Sequence, residues 1–235
     1  MKKSDSIAIV VQARLNSQRV PQKMIRDFAG TTLFDVVLDK LIAAFPDSKE
    51  HIWASVYEDE LIDIAGNKGV NIFRRSYESA NNDNSLQKIY EWHDQLPKHY
   101  KYVILVSGCN PLLKPETIGN FYNQFKNQVE ENLFAVIEKK TYYWNKEGSL
   151  VTPWPADQTI MNTKVVEPTY EAAHVLYASK LDLIRQDKFM GDFQAPGGIK
   201  LFKMAELEAF DIDYPWQFEV GKLLYEKVGK QIKSS

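Results

Sequence analysis

The chain has 235 residues, of which 29 are lysine or arginine and 31 are aspartate or glutamate, so its net charge is −2. This balance excludes a general electrostatic attraction to nucleic acid or to an anionic membrane, and any anion site must therefore be local. The length suits one compact α/β domain, which we expect to span residues 1–235.

The sequence also limits the covalent chemistry and the compartment. Cys109 is the single cysteine, which excludes an intramolecular disulfide. No window approaches the ~20 apolar residues of a membrane span. The first residues enter a short apolar run that does not have the pattern of a signal peptide. We therefore expect a cytoplasmic protein.

Short apolar runs rich in β-branched residues alternate with longer stretches of helical period. This alternation is typical of a mostly parallel sheet covered by helices. The strands predicted in the first half are residues 7–11, 52–57, 71–73 and 102–108. The helices predicted there are residues 32–45, 59–69, 85–96 and 115–125. Together they predict a three-layer α/β/α fold.

The alternation of predicted strands and helices changes after residue 130. Strand-like residues 132–138 and 141–144 precede a long stretch of little periodicity, and loops longer than about 15 residues are usually functional or disordered. We predict a small β-containing excursion at about 132–180. Its insertion-like part, about 138–180, would form a lid, a wall of a ligand site or an oligomer contact. The pattern then resumes with strands at 175–179 and 199–204 and helices at 180–186 and 215–232.

The loop after the first strand is the first candidate site, because ligands of open α/β sheets bind at the carboxyl ends of strands. It carries Arg14, Arg19 and Lys23, and it has no glycine before Gly30, so it is neither a Walker nor a dinucleotide-binding loop. Its cations would meet phosphate through their side chains. Charge alone leaves a solvated basic loop equally open.

The residues QARLNSQRVPQK of this loop resemble the N-terminal signature of sugar nucleotidyltransferases that use CTP, and among them the acylneuraminate cytidylyltransferases. The resemblance implies a Rossmann-like fold. It also implies that Arg14 and Lys23 grip a triphosphate, together with backbone amides near Leu15 and Asn16 and with Ser17.

Two further segments are similar to the same family. In NIFRRSYESANNDNSLQKI, Arg74 and Ser85 match an arginine and a serine that lie near the nucleotide. In LVSGCNPLLKPETI, the resemblance implies that Ser107, Cys109 and Asn110 face the gap between nucleotide and sugar. The resemblance extends over residues 7 to about 228 and is thinnest between 140 and 200.

Two carboxylates stand close to the last predicted helix. Side chains alternate along extended backbone, so Asp211 and Asp213 point the same way and lie roughly 6.5 Å apart along the chain. Such a pair suits a shared Mg²⁺, which favours carboxylates, water and phosphate oxygens. The alternative is a cap for the helix that Pro215 starts. The resemblance favours the metal, because this D-x-D matches the family's metal motif.

A weaker resemblance concerns the sugar side. The residues VVEPTYEAAHVLY are similar to the family's sugar-site strand, which implies a role for Tyr170. Lys164 is the cation that would hold a sugar carboxylate in place of the arginine usual there. His174 is interpreted as a hydrogen-bonded structural residue, and Met24, directly after Lys23, bears on the identity of the base.

The function implied is transfer of CMP from CTP to the anomeric hydroxyl of an acidic sugar, a sialic acid or related nonulosonate, with release of pyrophosphate. Mg²⁺ would be the cofactor, with Arg14, Lys23, Asp211 and Asp213 as the catalytic groups, and the family's habit implies a homodimer. Three alternatives stay open: another sugar, such as Kdo or a spore-coat-type glycose; a catalytically silent relative; and an interaction subunit that oligomerises through its aromatic-rich residues 142–170.

Overall fold

The computed structural model describes residues 2–81, 85–189 and 191–229. Its centre is a seven-stranded sheet in the order β3-β2-β1-β4-β6-β5-β7. The strands are β1 (Ile7–Gln12), β2 (Ile52–Val56), β3 (Asn71–Arg74), β4 (Tyr102–Val106), β5 (Asn132–Lys139), β6 (Thr169–Lys180) and β7 (Leu201–Lys203). The predicted strands of the first half are all present.

The sheet is mostly parallel, as predicted. Strands β1 to β4 run parallel to one another, with Val11 of β1 opposite Ala54 and Val106. Strand β6 is antiparallel to both β4 and β5, and β7 is parallel to β5. The carboxyl ends of β1, β2 and β4 therefore meet at one edge of the sheet, which the antiparallel β6 approaches with its amino end.

Helices cover both faces and confirm the three-layer fold. They are α1 (Leu33–Ala44), α2 (Asp59–Lys68), α3 (Tyr77–Asn81), α4 (Leu86–Ile89), α5 (Pro115–Asn127), α6 (Leu181–Arg185) and α7 (Pro215–Leu224). Thr32 caps α1 by accepting a hydrogen bond from the Asp35 amide, and Gly69 ends α2 with a φ of 64°. Within the described parts of the chain, no helix is both long and apolar enough to cross a bilayer.

The strands alternate between two apolar layers. Ile7, Ile9 and Val11 pack on the face covered by α1, α2, α5 and α7, whereas Ala8 and Val10 pack on the face that holds Trp92 and α6. Burial on both faces explains why β1 is a continuous apolar run rather than an alternating one.

Two helices end earlier than their patterns predict. The helix expected at 85–96 stops at Ile89, because Tyr90 leaves helical geometry and residues 91–94 form a 3-10 turn. This break buries Trp92 and lets its indole donate to Gln12 of β1. The last helix, predicted at 215–232, is α-helical only as far as Leu224, and a π-helical turn follows over Tyr225–Gly229. Residues 230–232 of the predicted range lie outside the described residues.

The excursion is smaller than its predicted range. Strands β5 and β6 belong to the central sheet, so only residues 140–168 leave it, because each of the two strands finds backbone partners there. Residues 141–144 form no strand, and Trp144 makes one isolated bridge to Leu150. Tyr142 packs its ring against Trp144 and Trp154. The role of this segment as a lid or a dimer contact stays a prediction.

Candidate functional site

Two adjoining cavities lie at the carboxyl edge of the sheet and share Gln12, Ala13, Arg14 and Cys109. We call them the inner cavity, of about 290 Å³, and the loop cavity, of about 580 Å³. They form at this edge because the chain leaves the sheet there after β1 and β4, as is usual for binding sites of α/β folds. Together they are called the cleft below.

The loop after β1 supplies the cations of the loop cavity, which is also lined by Ser17 and Asp213. Lys23 Nζ donates to the Ile212 carbonyl at 2.7 Å and lies 3.8 Å from Asp213 Oδ1. Arg19 pairs with the same carboxylate oxygen at 2.8 Å. Two cations thus bind the loop after β1 to the segment before α7, and the cavity between them is electrostatically suited to an anion.

The other predicted residues of this loop make protein contacts. The Arg14 guanidinium lines both cavities and donates to the Ala80 carbonyl at 3.0 Å. The Leu15 amide donates to Glu58 at 2.9 Å, and the Asn16 side chain donates to Asn81. Neither Leu15 nor Asn16 lines the cleft, so their phosphate contacts stay predictions.

Asp213 does not cap the last helix. Tyr214 occupies the N-cap position of α7, and the Gln217 side chain accepts from the Asp213 and Tyr214 amides, each at 2.8 Å. The Asp213 carboxylate is therefore left to its ion pairs with Arg19 and Lys23. The alternative role of Asp213, as a cap for the helix that Pro215 starts, is thus excluded.

Asp211 lines neither cavity, but it lies close enough for Asp213 and Lys23, which line the loop cavity, to act on its carboxyl. Burial raises the pKa of that carboxyl, and the neighbouring charge of Asp213 raises it further, while Lys23 acts in the opposite direction. Its Oδ1 atom is buried and has no hydrogen-bond partner among the residues that the structure describes. A buried carboxylate oxygen beside a second carboxylate is costly without a cation.

The pair fits Mg²⁺ by its donor chemistry, because hard carboxylate oxygens are the ligands that this ion prefers. No group of three or more His, Cys, Asp or Glu residues within the described ranges is arranged to hold a metal. An ion held here would therefore take its remaining ligands from water and from a phosphorylated substrate, as Mg²⁺ usually does.

Cys109 lies at the centre of the cleft and is not suited to nucleophilic attack. Burial raises the pKa of its thiol, and the effect of Lys23 in the opposite direction is smaller. A raised pKa keeps the thiol protonated, whereas the thiolate is the nucleophile.

Met24 is buried directly beside Gly108, where a Cβ added to the glycine would lie 2.8 Å from the Met24 methyl. Met24 therefore packs behind the loop after β4 as well as lining the loop cavity.

The inner cavity is lined by Arg75 instead of the predicted Arg74. Arg74 is exposed and pairs with Asp59, outside both cavities. Arg75 is only 4% exposed, and its Nε donates to the Ser79 hydroxyl at 3.0 Å. Burial, together with the nearby Arg14, lowers the pKa of Arg75 to about 10. Consecutive side chains of an extended segment point to opposite faces, which separates these two arginines.

Three of the remaining predicted residues lie in different surroundings. Ser107 lines the inner cavity, and its hydroxyl accepts from the Cys109 amide at 3.2 Å. Ser85 caps α4 by accepting from the Lys88 amide, and it lies outside the cleft. Asn110 is buried beneath the loop after β4, where its side-chain amide donates to the Ala209 carbonyl at 3.3 Å. Of the three, only Ser107 faces a ligand space.

The two predicted sugar ligands are not brought into the cleft. Lys164 is exposed in a short 3-10 turn within residues 140–168. Tyr170 is exposed near the start of β6, where it pairs with Glu138 of β5. Neither residue lines the described cavities. Their contacts with a sugar stay predictions.

His174 and Tyr177 line the inner cavity instead. The pairing of β5 with β6 shifts register between Phe134 and Val136, and His174 sits in that bulge with a φ of 54°. Its Nδ1 lies 3.3 Å from the Tyr177 hydroxyl, and burial raises the pKa of that phenol. His174 is thus hydrogen-bonded, as expected, and it also faces the inner cavity, which was not predicted. A bulge of this kind re-aims a side chain without leaving a sequence signal.

The family model described as Cytidylyltransferase matches residues 8–228. That range includes all seven strands apart from Ile7, and it includes both Asp211 and Asp213. The chain belongs to the cytidylyltransferase family. This finding confirms the family suggested by the motifs at 12–23 and 211–213.

Curated relatives within the cytidylyltransferases fall into two groups. The chain is 26% identical over 140 residues to N-acylneuraminate cytidylyltransferase B of Danio rerio, and the match covers 59% of this chain and 32% of that protein. It is 24% identical over 140 residues to 3-deoxy-manno-octulosonate cytidylyltransferase of Rickettsia canadensis (strain McKiel). That match covers 59% of this chain and 54% of that protein. The chain thus spans about a third to a half of these relatives, and the two identities do not separate the two sugars.

Solved structures support the cytidylyltransferase fold. A CMP:2-keto-3-deoxy-manno-octonic acid synthetase complexed with CTP superposes with a TM-score of 0.69 at 14% identity, covering 94% of this chain and 99% of that one. A cytidylyltransferase from Leptospira borgpetersenii serovar Hardjo-bovis gives a TM-score of 0.60 at 17% identity, covering 94% and 87%. At these identities the likeness establishes the fold alone.

Proposed function

We propose that this protein transfers CMP from CTP to the anomeric hydroxyl of an acidic sugar, a sialic acid or a related nonulosonate, and releases pyrophosphate. The observation that carries the proposal is the buried Oδ1 of Asp211, which has no hydrogen-bond partner in the described part of the chain, next to the loop cavity that Asp213 and Lys23 line. Two neighbouring carboxylates beside a cavity lined by Arg14, Arg19 and Lys23 suit a metal–triphosphate pair.

Each group has a defined task in this reaction. Arg14 and Lys23 neutralise charge that accumulates on the departing pyrophosphate, because fixed cations stabilise a phosphoryl-transfer transition state. Asp211 and Asp213 would hold Mg²⁺, which when bound polarises the α-phosphate and neutralises its charge.

The inner cavity supplies the remaining contacts. Arg75 is held by Ser79 and offers a positioned cation to the nucleotide. Ser107 lies across the cavity, on the loop that leaves β4. Positioning of this kind accounts for much of the rate in reactions that need no covalent intermediate.

A second candidate substrate is 3-deoxy-manno-octulosonate or another acid of that class. It is favoured by the Rickettsia relative, whose name carries that sugar. The chemistry at phosphorus is the same for both acids, so only the sugar contacts differ.

Release of pyrophosphate tests the proposal. The purified protein is assayed with CTP, ATP, GTP and UTP against N-acetylneuraminic acid, 3-deoxy-manno-octulosonate and a neutral hexose, with Mg²⁺ and with EDTA. We expect release only with CTP, an acidic sugar and Mg²⁺. Release with the neutral hexose alone would refute the acidic substrate. No release with any pair would support a silent relative instead.

Homodimerisation and a cytoplasmic location belong to the same proposal. Residues 140–168 carry exposed apolar side chains, among them Trp144, Trp154, Ile160 and Met161. Exposed patches of this kind mark interaction surfaces. Light scattering of the purified chain is expected to give twice the monomer mass, and a monomer at micromolar concentration would refute the dimer.

A further inference from the structure

A buried lysine lies beneath the cleft without touching it. Lys40 of α1 is 6% exposed, and its Nζ donates to the carbonyls of Pro111 and Asn110, the latter at 3.5 Å. The ring of Tyr225 lies 5.8 Å from the same nitrogen. Lysine is among the residues least often buried, because its ammonium loses its hydration. Its place here therefore needs an explanation.

The carbonyls that Lys40 holds belong to one of the two segments that build the cleft. The loop after β4 carries Ser107 and Cys109, and the segment before α7 carries Asp211 and Asp213. Hydrogen bonds from the main chain and from side chains join these segments. The Ile212 amide donates to the Cys109 carbonyl at 3.1 Å, and the Asn110 side chain donates to the Ala209 carbonyl at 3.3 Å.

Glu208 completes the connection from the other segment. It is buried, and its Oε2 accepts from the Lys114 amide at 3.0 Å, at the end of the loop after β4. Its negative charge also acts on Lys40 and opposes the burial that lowers the pKa of that lysine to about 7. The lysine thus holds the middle of this short loop, and the glutamate holds its end.

We propose that Lys40 and Glu208 are positioning residues that fix the Asp211–Asp213 segment against the loop after β4, and so set the geometry at which the carboxylate pair meets its cation. This inference rests on the proposed function for its catalytic consequence. Its structural content stands on the hydrogen bonds alone. Without the ammonium, the two carbonyls lose a donor, and the loop that orients Ile212 is free to relax.

The chain offers a matched control at the opposite edge of the sheet. Lys2 is 8% exposed, and its Nζ donates to three carbonyls, those of Phe125, Gln128 and Glu130, at 2.8 to 3.0 Å. It also lies over an aromatic ring, that of Phe125, at 4.5 Å. Lys2→Met therefore removes a similar set of contacts without reaching the cleft.

The test compares Lys40→Met with Lys2→Met by amide hydrogen exchange and by kinetics. In Lys40→Met we expect the Ile212 and Lys114 amides to exchange roughly 10-fold faster. We also expect kcat to fall by roughly 10- to 100-fold, as for other residues that support metal ligands, and half-saturation by Mg²⁺ to move to higher concentration. Lys40→Arg, which keeps a buried cation, is expected to restore part of the loss.

Several outcomes decide the proposal. Unchanged exchange at Ile212 and Lys114 in Lys40→Met overturns it, and so does an equal loss of kcat in Lys2→Met at the same fall in Tm. Glu208→Gln, which keeps an acceptor for the Lys114 amide, is the milder variant and is measured in the same way. If the wild-type chain transfers no CMP, the proposed function fails, while the exchange result still decides whether Lys40 positions the segment.

Discussion

Replacing Asp211 by asparagine is expected to remove turnover and yet to stabilise the metal-free protein. The Asp211 carboxylate is buried, its Oδ1 has no partner among the described residues, and burial and the charge of Asp213 both raise its pKa. Asparagine keeps the shape and removes the charge, so the cost of burying that charge and its repulsion by Asp213 both fall. A recovery of about 1 kcal/mol raises Tm by about 2–4 °C in a chain of this size.

The assay is thermal unfolding in EDTA at pH 7, followed by the same measurement with Mg²⁺ and CTP. Wild type is expected to gain stability from the ligands, whereas Asp211→Asn gains less. Asp182→Asn is the matched control, because Asp182 is an exposed carboxylate that pairs with Arg185 on α6, at the amino edge of β4. A lower Tm for Asp211→Asn in EDTA, or wild-type turnover, would refute the argument that this carboxylate awaits a cation.

Two further predictions concern Arg75 and Lys40. Arg75→Met is expected to raise KM for CTP roughly 10-fold or more, because a charged hydrogen bond is lost, whereas Arg74→Met leaves KM unchanged. Equal effects of the two variants in steady-state kinetics would refute the assignment of the cavity to Arg75. Burial lowers the pKa of Lys40 to about 7, so between that pH and about 10.4, the ordinary lysine value, the unfolded chain binds the extra proton. Stability from this group therefore rises with pH across that window, and denaturant titrations at pH 7 and 9 should show the rise in wild type but not in Lys40→Met. The same slope in both proteins would contradict a depressed pKa.

The motifs predicted the family and most of the sheet, because they depend on short-range information. The strand at 7–11 is an apolar run, and the pair Asp211 and Asp213 is two residues apart, so both can be recognised without knowing what packs against them. The helix at 85–96 was predicted too long for the opposite reason. It breaks at Tyr90 because Trp92 finds a partner in Gln12, which is distant in sequence.

The residues that face the cleft were harder to predict. Arg74 and Arg75 are adjacent and chemically identical, and only the path of the chain after β3 decides which one enters the inner cavity. His174 reaches the cavity because of a bulge whose register depends on β5. Lys164 and Tyr170 matched a weak motif, and they lie outside the cleft in the structure.

The sequence by itself thus determined the fold class, the cation-bearing loop after β1 and the carboxylate pair, since local periodicity and residue spacing are retained whatever the chain packs against. The tertiary structure decided which side chains line the cleft and what holds it in shape. Lys40 shows the difference most clearly. It is the single lysine of α1, and only the approach of the Asn110 and Pro111 carbonyls to its buried ammonium shows what it supports.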